Sequence, residues 1–136
     1  MGLTRGVNKY HIIRATLESI AFQSADILRA MNADSGIRLS ALNVDGGASA
    51  NDLLMQMQAD LIGTPVQRPK SVESTARGAA YLAGLAVGYW KDKQDILQNR
   101  TIDRTFYPSI CPEDRVKRLQ DWSKAVAYSR DWANNK

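Results

Sequence analysis

From Asn8 to about Asn32 the apolar residues Ile13, Leu17, Ile20, Phe22, Ile27, Leu28 and Met31 fall mainly three and four positions apart. That spacing collects them on one face of a long amphipathic helix. Asn8 can cap its start through a side-chain oxygen, and Ser35-Gly36 can end it, because glycine readily takes the left-handed conformation on which helices often finish. The next segment, Ile37 to Val44, alternates at Ile37, Leu39 and Ala41 before shifting to Leu42 and Val44, and so predicts a partly buried strand. Asp45-Gly46-Gly47 breaks that strand.

Ser49 to Ile62 returns to helical spacing, with Leu53, Leu54, Met57, Leu61 and Ile62 apolar and Gly63 placed to close it. Thr64 to Arg68 predicts a short strand, and the flanking Pro65 and Pro69 favour an edge position. Ser74 can cap a helix to about Val87 in which Gly78, Ala79, Ala80, Ala83 and Gly84 leave one side nearly bare, a surface suited to close helix packing. Lys91 to Asn99 predicts a polar surface helix and Thr101 to Tyr107 a strand or extended arm. Pro112 suits the first turn of a last helix carrying Val116, Leu119, Trp122, Val126 and Ala133 on one stripe.

Composition narrows the class. The 136 residues are 44% hydrophobic and 24% charged, which excludes a disordered tail and fits one globular domain. A net charge of +4 is too small and too scattered to mark a nucleic-acid protein. Cys111 is the only cysteine, so no intrachain disulfide framework is available and a reducing, cytoplasmic setting is expected. Met1 to Lys9 lacks the apolar stretch of a secretory leader, and the longest apolar run, Gly78 to Trp90, is too short to cross a bilayer.

Candidate chemistry centres on Val44-Asp45-Gly46-Gly47-Ala48-Ser49-Ala50-Asn51, a strand, a Gly-Gly turn and a helix start. Free N–H groups and the positive end of the helix meet there, with no side chain to keep an anion or nucleotide away from the backbone. Asn51 can offer its amide to a base, a ribose or a water. On spacing alone, however, two glycines also serve any tight turn, and Ser49 is also an ordinary helix cap. Other candidates are weaker. His11 has no second histidine to share a metal and fits a surface or capping role, and no spacing brings Glu73 together with Asp60 or Glu18 as an acid/base pair. Arg5, Lys9, Arg115, Lys117 and Arg118 are expected on solvated faces, and Trp90, Trp122 and Trp132 in core or interface positions.

The strings VDGGASANDLLMQMQADLIGTPVQRP and VESTARGAAYLAGLAVGYW closely resemble the carboxy-terminal part of the glycerol kinases, a branch of the FGGY carbohydrate kinase family. The opening GLTRGVNKYHIIRATLESIAFQ resembles the segment just upstream in that family, and the resemblance thins only after Tyr107. Arg77 stands where many relatives carry an apolar residue.

The resemblance implies an α/β fold, a partial ribonuclease H-like domain of the actin/hexokinase superfold, helix-rich with two or three short strands. Residues 1–136 would form one carboxy-terminal domain fragment on the nucleotide-binding side. Gly47 and Asn51 match the family's nucleotide contacts and Gly46 supports the turn. The parent enzyme would transfer the γ-phosphate of ATP to glycerol with Mg²⁺, giving glycerol 3-phosphate. In that family the phosphate loop, the glycerol-binding residues and the catalytic aspartate lie upstream of this segment. None of those motifs occurs here, so the chain alone is expected to be inactive, with no catalytic or metal-ligating residue of its own. The expected partners are ATP or ADP, glycerol through the remaining part of the kinase, and further copies of the chain, with neither nucleic acid nor membrane. Another FGGY sugar kinase, acting for example on a pentulose, and a non-catalytic self-associating module are the alternative readings.

Overall fold

The computed structural model describes residues 2–71, 73–98 and 101–130. Along the chain run α1 (Lys9–Ser35), β1 (Leu42–Asn43), a 3-10 turn (Gly47–Ala50), α2 (Asp52–Ile62), β2 (Val66–Pro69), α3 (Ser74–Ala86), α4 (Lys93–Gln98), β3 (Ile102–Phe106) and α5 (Pro112–Ser129). The architecture is helix-rich α/β with a short mixed sheet, as expected.

Local chemistry sets the ends of α1. The Asn8 side-chain oxygen accepts from the backbone N–H groups of Tyr10 and His11, and the His11 ring accepts from the Asn8 N–H, so the two close a reciprocal cap. His11 is thus the capping histidine expected of it. At the other end Gly36, at φ 66°, donates its N–H to the Asn32 carbonyl.

The face that α1 buries differs from the stripe its bulky residues mark. Ala21 and Ala25 are its buried residues, seated against Leu54, Met55, Met57, Ala59 and Leu61 of α2, whereas Ile13, Ile20, Ile27 and Met31 stay exposed. Two small residues let the helix axes approach closely, so the contact runs through alanines and the larger side chains flank it.

The sheet order is β1-β2-β3, with β1 parallel and β3 antiparallel to β2. Three expectations are corrected here. The segment from Ile37 to Val44 pairs only at its end, where Leu42 and Asn43 face Val66 and Gln67 and the Val44 N–H donates to the Gln67 carbonyl. β2 is the central strand and not an edge: the Pro65 carbonyl accepts from Leu42 N–H, and Pro69, which has no N–H to give, falls at the strand end where the register with β3 slips. Glu73, not Ser74, occupies the cap position of α3, with no side-chain capping bond. Val66 and Phe106 complete the buried core from β2 and β3.

α3 does not pack closely on its small-residue side; among the described residues it has no buried position, and what covers Gly84 is the indole of Trp90, folded back from the turn that follows. Trp122 of α5 stacks on Phe22 of α1, whereas Trp132 lies outside the described residues. The chain exposes 10077 Å². A compact protein of this mass exposes about 7,100 Å². Apolar surface is left bare on α1, where Ile12, Ile13, Ile20, Ile27 and Met31 are exposed. Among the described residues no helix is long and apolar enough to cross a membrane.

Candidate functional site

The Gly-Gly segment forms a turn between β1 and α2, as its residues predicted, with a 3-10 step interposed. Gly46 sits at φ 77° and ψ 171°, a conformation almost closed to residues with a β-carbon. Its carbonyl accepts two hydrogen bonds from Ser49, at 3.1 Å from the backbone N–H and 2.7 Å from the hydroxyl. Ser49 is 1% exposed, so this latch is shielded from water. Gly47 faces outward, and a β-carbon built on it would have no atom within 4 Å. Backbone is thereby presented to open space, which a flat ligand can approach directly.

The helix that follows starts later than its pattern predicts. Ser49 belongs to the 3-10 turn, and Asn51 caps α2, its Oδ1 accepting from Leu54 N–H at 3.1 Å. Among the described residues the Asn51 side-chain NH₂ has no protein partner, so two donors point away from an exposed side chain. Gly46, Gly47 and Asn51 are brought together by one turn. A groove of about 330 Å³ runs beside it, lined by Ile20, Ile27, Leu42, Val44, Leu54 and Met55 among others, with Gln58 at its floor.

An ionic network holds the turn from behind. Arg68 of β2 donates through Nη1 to the Ser49 carbonyl (3.0 Å) and to Asp52 (2.7 Å), and through Nε to Asp103 of β3 (2.9 Å). Arg104 of β3 reaches the other oxygen of Asp52. Arg68 and Arg104 are direct cross-strand partners, an unfavourable pairing of like charges that Asp52 relieves by accepting from both. Both guanidinium groups also lie near the ring of Phe106, at 5.4 Å and 4.8 Å from its centroid. Hydrogen bonding from Arg68 holds the Asp52 carboxyl below its usual range, and the same bond raises Arg68. Sequence reasoning missed this network. Its one signal was an acidic residue in the first turn of a helix followed by a strand ending in arginine, which a single sequence does not separate from ordinary surface charge.

The weaker candidates stay apart. Glu18 pairs with Arg14, while Asp60 accepts from the backbone and hydroxyl of Ser109 and from Gln56; neither bonds to Glu73. Arg115 departs from the expected solvated face: its guanidinium lies over Gly63 and donates to the Asp60 carbonyl at the end of α2. Among the described residues no group of three or more His, Cys, Asp or Glu side chains is placed to hold a metal ion.

Residues 1–87 match the family described as "FGGY family of carbohydrate kinases, C-terminal domain". The chain belongs to the FGGY carbohydrate kinases. Within curated members of that family, a glycerol kinase of Agathobacter rectalis is 64% identical over 135 residues, covering 99% of this chain and 27% of that protein. Glycerol kinase 1 of Clostridium tetani is 62% identical over 97% of this chain and 26% of its own length. Among solved FGGY kinases, the crystal structure of Plasmodium falciparum glycerol kinase with ADP superimposes with a TM-score of 0.88 at 36% identity, covering 96% of this chain and 26% of that one. A ligand-bound xylulose kinase from Lactobacillus acidophilus follows with a TM-score of 0.73 at 25% identity, covering all of this chain and 28% of that one. The chain spans about a quarter of the length of the curated relatives it matches, their carboxy-terminal part. Its fold is the corresponding piece of the actin/hexokinase-like, ribonuclease H-like domain of FGGY kinases.

Proposed function

We propose that this chain is the nucleotide-contacting, carboxy-terminal part of an ATP-dependent glycerol kinase, which transfers the γ-phosphate of ATP to glycerol. The observation that carries this reading is the turn itself, where Gly46 holds a left-handed bend and Gly47 offers bare backbone to open space in a chain similar to a glycerol kinase solved with ADP. Gly47 lets the nucleoside lie against the main chain, Asn51 donates its free amide hydrogens to it, and Gly46 with Ser49 keeps the turn in shape. Mg²⁺ would serve the phosphates elsewhere in the enzyme, held by residues outside this chain. Phosphoryl transfer needs nucleophile, metal and phosphates positioned together, so residues 1–136 alone form no glycerol 3-phosphate from ATP, Mg²⁺ and glycerol. The whole chain acts as one domain fragment, and the setting is cytoplasmic.

The test is Gly47→Val in the complete kinase. A branched side chain there intrudes where the nucleoside approaches, raising KM for ATP far more than KM for glycerol. Equal effects on both substrates refute the contact. A pentulose kinase is the neighbouring alternative, but identity of 64% to a glycerol kinase against 25% to a xylulose kinase favours glycerol. Self-association is the second reading, supported by the exposed Ile12, Ile13, Ile20, Ile27 and Met31 along α1.

A further inference from the structure

We propose that Arg68 is a positioning residue for the Gly46-Gly47 turn, setting the distance between the sheet and the backbone that meets the nucleotide. The inference rests on the nucleotide reading of that turn. Two links connect sheet to glycine, the second of them a pair of hydrogen bonds to one carbonyl. Arg68 Nη1 donates to the Ser49 carbonyl at 3.0 Å, and the Ser49 N–H and hydroxyl both return to the Gly46 carbonyl. Gly46 is the residue whose left-handed conformation turns the chain, so whatever displaces Ser49 displaces Gly47 beyond it.

The guanidinium is held for that task. Its side chain is only 13% exposed, β2 is the central strand of the sheet, and Asp103 engages Nε and Nη2 from the side opposite the turn. Nη1 is left to Ser49 and Asp52, joining the 3-10 turn and the first residue of α2 to one rigid plane. Lysine cannot reproduce this arrangement, because a single ammonium on a flexible stem lacks the planar fork that reaches three acceptors in two directions. Ser49 and Asp52 come from one stretch of chain and Asp103 from another, and among the described residues Arg68 is the group that touches all three.

The experiment uses the complete kinase containing this chain, with Arg68→Lys, Ser49→Ala, their double variant, Asp103→Asn and Gly47→Val compared in ATP and glycerol titrations. Arg68→Lys is expected to raise KM for ATP about tenfold while leaving KM for glycerol nearly unchanged. Ser49→Ala, which removes the hydroxyl bond to Gly46 and keeps the backbone one, gives a smaller rise, and the double variant is no worse than Arg68→Lys alone, because both act on the same chain of bonds. Asp103→Asn takes away the charge but keeps an acceptor for the same arginine, away from the turn, and moves KM for ATP less than about twofold. A role in stability alone would lower the melting temperature in Arg68→Lys and Asp103→Asn alike and shift both KM values together, and that pattern overturns the proposal. So does an unchanged KM for ATP in Arg68→Lys when Gly47→Val raises it. If Gly47→Val itself leaves KM for ATP unchanged, the nucleotide reading of the turn is what fails.

Discussion

The indole of Trp122 lies parallel to the ring of Phe22, with centroids 5.1 Å apart and planes 5° from each other, while its N–H donates to Asp26 at 2.7 Å. A residue near the end of the chain is thereby fastened to the first helix by a stacked ring and a charged acceptor. Trp122→Ala is expected to cost about 1–3 kcal/mol, below the range for fully buried aromatics because both rings are only partly covered. Urea unfolding followed by far-ultraviolet circular dichroism checks it, and an unchanged midpoint would mean that the Trp122 contacts contribute nothing to stability.

Gly63 and Gly36 both end helices in the left-handed region, at φ 75° and 66°. They differ in what surrounds them. A β-carbon on Gly36 meets open space, whereas one on Gly63 would run into the guanidinium of Arg115. Gly36→Ala should therefore cost only the conformational term, about 1–2 kcal/mol. Gly63→Ala should cost more, and replacing Arg115 by alanine in the same chain should narrow the difference. Thermal melts of the variants would expose the idea as wrong if the two glycines respond alike.

The Asp52 carboxyl is held low, chiefly by its bond from Arg68. A carboxylate whose folded value is depressed stabilises the native state above its unfolded value, near pH 3.9, and that contribution disappears as pH falls through the lower folded value. Stability of wild type relative to Asp52→Asn is thus greatest above about pH 5 and shrinks on acidification below about pH 4. Denaturant midpoints measured across that window decide it; a gap independent of pH would mean the pairing adds nothing.

The bare apolar side of α1 leads to a prediction of association. At micromolar concentration the chain by itself should scatter light as a dimer or larger species, and Ile13→Glu with Ile27→Glu should shift it toward monomer, since both positions are more than half exposed. A stable wild-type monomer that unfolds cooperatively would rule the association out.

Where a residue's role depends on its immediate neighbours in the chain, the sequence was readable. Asn8, Gly36, Gly63 and the Gly-Gly turn all act through backbone groups within a few positions, and each stands where its chemistry placed it. Contacts across long separations were not readable. Pro65 and Pro69 suggested an edge because proline cannot donate, yet β1 needs only the Pro65 carbonyl, and nothing local reveals which atoms a neighbouring strand will use. The bulky stripe of α1 hid its alanine contact because periodicity reports where apolar residues lie and not which of them a partner reaches. The family resemblance was legible in the strings around Gly46 and Gly84, while the Arg68 network, which joins residues 16 and 35 positions away, was visible only in three dimensions.

Asn51 performs two jobs with one amide, its oxygen turned inward to the Leu54 N–H and its nitrogen turned out. Serine, threonine and aspartate cap helices about as well, but none carries an acceptor and a free NH₂ together. Asn51→Asp therefore separates the two: the cap survives and the outward donors are exchanged for a negative charge. On the nucleotide reading proposed above, an amide at this position would couple the start of α2 to the nucleotide, so that the orientation which satisfies the helix is also the one that aims the donors, with no separate device to point them.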